Sequence, residues 1–149
     1  MSTVRIVEVD ERDSAWEDSD PRFRVYLHGS GADSTRGSTA TYDVTGADVL
    51  QVIDWAQRQA GDRLTYAVAL VRDRGGDSVA LAHGRGLVWL VGMDGNDSAT
   101  SEQERDVQSR MLARRADPVG ITSADRMPDD TPRPRPLVRR AARARRSPY

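Results

Sequence analysis

Phe23, Val25 and Leu27 interleave with Arg24, Tyr26 and His28, and this period of two predicts a half-buried strand. Residues 4–9 set Val4 and Ile6 against Val7 and Val9, a β-branched run on both faces that predicts an earlier strand. TATYDV at 39–44 predicts another. Residues 10–21, acidic around a single Trp16, and residues 29–39, rich in Gly, Ser and Thr, read as the loops between them. Two further stretches, LTYAVALV at 64–71 and LVWLV at 87–91, are apolar on both faces, the look of strands at the centre of a sheet. Trp89 shares a face there with Leu87 and Val91 and reads as core.

The period changes to 3.6 after Thr45. Val49, Leu50, Val52, Ile53, Ala56 and Ala60 fall on one arc of a helical wheel, with Gln51, Asp54 and Arg58 opposite. Thr45 is the expected N-cap, with Asp48 three residues on, and Gly61 the expected C-cap, so a helix is predicted over 46–60. Ser101 and Glu104 suggest a second capping box, but Val107, Met111 and Leu112 are the only stripe behind it. The helix over 102–115 should therefore dock weakly. The reading is α+β: a mostly antiparallel five-strand sheet with one packed amphipathic helix, in the order βββαββ. It occupies residues 1–97, followed by a possible peripheral helix at 98–116 and a disordered Pro/Arg-rich tail at 117–149.

Charge adds an asymmetry that hydropathy does not show. All 23 carboxylates lie in residues 1–130, and residues 131–149 carry seven arginines, so a body of net −8 precedes a tail of +7. Arg133, Arg135, Arg139, Arg140, Arg143, Arg145 and Arg146 are thus candidate anion- or nucleic-acid-binding residues. Only Tyr149 offers an aromatic ring in that tail, and Pro132, Pro134 and Pro136 lack P-x-x-P spacing, so neither base stacking nor a PPII ligand is implied. No lysine occurs among the 22 basic residues, and codon bias supplies part of the arginine content.

Candidate chemistry is sparse. The chain has no cysteine, which excludes disulfides, thiolate metal sites and cysteine nucleophiles. The turn MDGND at 93–97 starts like a calcium loop, but Ala99 and Arg105 stand where glycine and a bidentate glutamate are needed, so no metal is expected. The glycines of HGSGADSTRG and HGRG lack the lysine and the following helix of a phosphate cradle, and no cofactor is expected. His28 and His83 are the candidate general bases, with Asp94 or Asp97 as orienter and Ser30 as nucleophile, but no motif specifies that set. Trp16, in its polar loop, and Trp55, at the edge of the helical arc, are the candidate partner contacts.

FRVYLHGSG, TYDVTGADVLQVIDWAQRQAG and GRGLVWLVGMDGND together resemble small actinobacterial proteins with no assigned activity. The resemblance spans about residues 4–97 and implies a cytoplasmic bacterial protein. No apolar run reaches the roughly 18 residues of a membrane span, and no membrane partner is expected. The expected function is a non-enzymatic protein-protein interaction module with an acidic domain surface and an unknown protein partner. The alternatives are sequence-nonspecific binding of nucleic acid or another polyanion by the tail, and a hydrolase using His83 or His28.

Overall fold

The computed structural model describes residues 3–29, 38–73, 84–95 and 98–132. Strands β1 (Arg22–Gly29) and β2 (Ser38–Val44) precede helix α1 (Val49–Ala60), and strands β3 (Thr65–Asp73) and β4 (Arg85–Val91) precede helix α2 (Glu102–Ala113). Among the described residues the sheet has four antiparallel strands in the order β2-β1-β3-β4, so the fold is α+β with two helices. The expected fifth strand is not part of that sheet. Residues 4–9 lie outside it with Val4 84% and Ile6 93% exposed. Alternation alone does not make a strand where no neighbour supplies the ladder.

Helix α1 begins later than expected, because Asp48 and not Thr45 caps it. Asp48 Oδ1 accepts from the Gln51 N–H at 2.9 Å while Gln51 Oε1 accepts from the Asp48 N–H at 3.0 Å. This reciprocal pair satisfies two backbone donors at once. Gly61 ends the helix with φ +56, a conformation that side chains with a Cβ disfavour.

The core lies between α1 and the face of the sheet carrying Phe23, Val25, Leu27, Tyr66 and Val68. Val52, Ile53, Trp55 and Ala56 cover it from the helix. Asp54 is buried as well, although the wheel put it on the water side. Residues 117–132 are the reason. Expected as the start of a disordered tail, they run across α1, where Gln57 exchanges two hydrogen bonds with the Val119 backbone and Asp54 Oδ2 accepts from the Met127 N–H at 2.9 Å. Met127 is buried in the same core and Ile121 packs against it. The helix is therefore sandwiched, and the packed unit extends well past residue 97.

Helix α2 is capped as Ser101 and Glu104 suggested. Ser101 Oγ accepts from the Glu104 N–H at 3.1 Å, but the Glu104 carboxylate turns to Thr100, accepting from its N–H and its hydroxyl. Those donors hold the Glu104 carboxyl below its ordinary pKa. Met111 is the buried residue of this helix and Leu112 faces outward.

Candidate interaction site

Strand β4 sits at the rim of the sheet, whereas α1 packs on β1 and β3. The apolar residues of β4 are consequently only partly covered, although Val91 reaches the core. Leu87, Val88, Trp89 and Leu90 are 36–43% exposed, four large side chains in succession. This corrects the expectation of an interior strand and a core Trp89: the run looks buried in sequence because both faces are apolar, yet the described residues leave it only partly covered. A register shift between Val68 and Ala69 leaves Leu90 unpaired in the ladder as a bulge.

The sheet face away from α1 carries Tyr26, His28 and Trp89. β1 and β4 lie two strand spacings apart, about 10 Å. The Tyr26 and Trp89 rings nevertheless meet at 5.1 Å, because the intervening strand places only Ala67 and Ala69 beneath them. Both alanines are fully buried under these rings and their neighbours. On the same face Arg24 grips Asp43 with two hydrogen bonds, at 2.6 and 3.1 Å, across the β1/β2 pair. That grip holds the Asp43 carboxyl below its ordinary pKa and raises that of Arg24, so this arginine is occupied.

His28 is 6% exposed and has a structural part. The Gly95 N–H donates to Nε2 at 3.2 Å, which leaves the ring proton on Nδ1, facing Thr39 Oγ1 at 3.4 Å. The Tyr26 ring stacks beside it. Burial pushes the His28 pKa below its ordinary value, opposed by the nearby charge of Asp94. A histidine whose Nε2 lone pair already takes a backbone N–H is not poised as a base. Asp94 is near, but His83, Asp97 and Ser30 lie outside the described residues, so no catalytic set is assembled among those described.

The imidazole gives a pH signature. The unfolded chain takes the proton at the ordinary value near 6.5, and the folded chain resists it. Stability should thus be full at neutral pH and fall as pH drops below about 6.5 toward the folded-state pKa. Asp43 contributes no slope there, since its lowered pKa confines its effect to pH below its ordinary 3.8. Urea midpoints at pH 7.5 and 5.5 should differ in the native chain, and the difference should shrink in His28→Gln.

The remaining candidates divide. Trp16 is 68% exposed, and Arg72, whose strand partner is Gly86 at the start of β4, lies over its ring at 5.4 Å. Trp55 is 9% exposed and meets Tyr42 edge to face at 5.4 Å, so it is core and not a partner contact. The arginines from Arg133 to Arg146 lie outside the described residues. Among the described residues, no cluster of three or more His, Asp or Glu side chains could hold a metal, and no helix is long and apolar enough to cross a membrane. Sequence reasoning missed the Tyr26–Trp89 pair, whose signal was the alanine spacing in TYAVALV.

Geometry and topology define an α+β protein with a helix-covered sheet face, an aromatic face and an apolar rim strand. No protein-family model, curated protein or solved structure matches the chain.

Proposed function

We propose that the chain is a non-enzymatic protein-interaction module that docks its partner on β4. The observation that carries this reading is the uninterrupted exposure of Leu87, Val88, Trp89 and Leu90 on the rim of the sheet. Single exposed apolar residues are ordinary, but four together on an edge strand offer both backbone hydrogen bonds and side-chain contacts. An extended segment added along β4 would use the first, with its alternate side chains against Trp89 and Leu87 on one face and Val88 on the other. Trp16 beside Arg72 enlarges that surface at the end where β4 begins. The carboxylate excess of residues 1–130 favours a basic partner, and the cysteine-free composition fits a cytoplasmic one.

A photo-crosslinking residue at Leu87 should yield a discrete adduct heavier than the 16.5 kDa chain, sensitive to protease and not to nuclease. The same residue at Gln59, exposed on α1, should yield none. Equal adducts at both positions, or none at Leu87, would remove the reading. A nuclease-sensitive adduct would replace it with nucleic-acid binding.

A further inference from the structure

A cavity of about 180 Å³ opens between the last turn of α1, the start of β3 and the end of α2. That is far above the ~15 Å³ a single water requires. Ala60, Leu64, Met111 and Pro118 give it an apolar wall. Tyr66, Arg114 and Arg115 also line it, and among the described residues no carboxylate does.

Three polar side chains of that wall keep buried atoms without partners. Tyr66 is 4% exposed and its hydroxyl is buried without a hydrogen bond. Buried guanidinium nitrogens of Arg114 (Nη1) and Arg115 (Nε and Nη2) are likewise unbonded. Nearby helix carbonyls do not answer them. Gln57 O and Ala60 O accept from the Gly61 and Leu64 N–H groups, and Arg110 O, Leu112 O and Ala113 O accept from the N–H groups of residues 114–117. The amide of Gln57, also in the wall, is committed to Val119. Two cations and a hydroxyl therefore line one space with no anionic side chain among the described residues, and desolvated donors left unmatched are costly.

We propose that this cavity binds a small organic anion, its carboxylate or phosphate head held by Arg114, Arg115 and the Tyr66 hydroxyl, its short apolar body against Leu64 and Met111. Guanidinium forks match either head group through paired N–H donors, which a single water does not. Burial raises the Tyr66 pKa, so the hydroxyl keeps its proton and donates. The site is separate from β4 and stands or falls independently of the docking reading.

Titration calorimetry of the full chain with hexanoate, inorganic phosphate and hexanol tests it, with Arg side-chain N–H shifts as a second readout. Saturable binding of hexanoate or of phosphate, with those shifts moving, is the expected result, and the tighter of the two names the head group. Arg114→Gln and Arg115→Gln should each weaken binding about tenfold and Tyr66→Phe about threefold. Arg115→Lys should recover part of the loss, and Arg105→Gln, exposed on α2, should change nothing. Thermal melts confirm that each variant is folded before it is scored. Hexanol binding as well as hexanoate, binding unaltered by both arginine variants, or no saturable binding by either anion would overturn the proposal.

Discussion

Replacing Trp55 by alanine should cost about 3–5 kcal/mol of folding free energy, the range for truncating a buried large aromatic side chain. The indole is 9% exposed, packed edge-on to Tyr42 in a cluster with Phe23, Val25 and Val52. Domains of this size have about 5–15 kcal/mol in total, so the variant should be largely unfolded or melt far below the native chain. Urea denaturation followed by circular dichroism measures the loss directly. A partner-contact tryptophan would behave in the opposite way, leaving the fold intact and the crosslink at Leu87 abolished. A folded, native-like Trp55→Ala chain would therefore contradict the packing described above.

Gly95→Ala should cost about 2–4 kcal/mol, combining overpacking with the lost hydrogen bond to His28. A Cβ at residue 95 would lie 2.7 Å from His28 Cγ and 2.8 Å from Cδ2, closer than carbon atoms approach. The ring is walled by Tyr26 and Thr39 and has little room to retreat. Nearby Gly92, at φ +78 against Ala67, limits how far the loop itself can yield. Because the damage is mutual, it should not add. In a His28→Ala background the Gly95→Ala step should cost much less, and a double-mutant cycle of urea midpoints measures that coupling. Full additivity would mean that the loop and the ring do not depend on each other.

Periodicity carried the elements whose neighbours it could assume. The alternation in β1, the Gly61 C-cap of α1 and the Val52, Ile53, Ala56 and Ala60 part of its stripe were readable because one sheet face and one helix face do the packing, whereas the N-cap fell on Asp48 and Val49 and Leu50 stay exposed. Elsewhere the pattern was present and the context was not. The helical wheel assigned Asp54 to water because it allowed α1 one buried side, while residues 117–132 supply a second. Pro118 and Pro128 looked like disorder, yet the side chains of Gln57 and Asp54 bind the backbone beside them. Apolar residues on both faces of β4 suggested an interior strand, since composition does not say whether anything covers it. The contact between His28 and Gly95 joins residues 67 positions apart, beyond any local pattern. Likewise Tyr66, Arg114 and Arg115 meet only after the C-terminal end of α2 is brought to the start of β3.

The bare rim of β4 also bears on how the chain behaves when concentrated. An edge strand with a run of exposed Leu, Val and Trp is a template for its own kind, so copies lacking a partner are drawn toward edge-to-edge stacking and aggregation. Arg85 and Asp73, ion-paired at 3.0 Å where β3 and β4 meet, stand at one end of the run as charged gatekeepers, and the other end has Gly92. Solubility of the isolated protein should therefore depend on that rim, and a partner docked there as proposed would double as its chaperone.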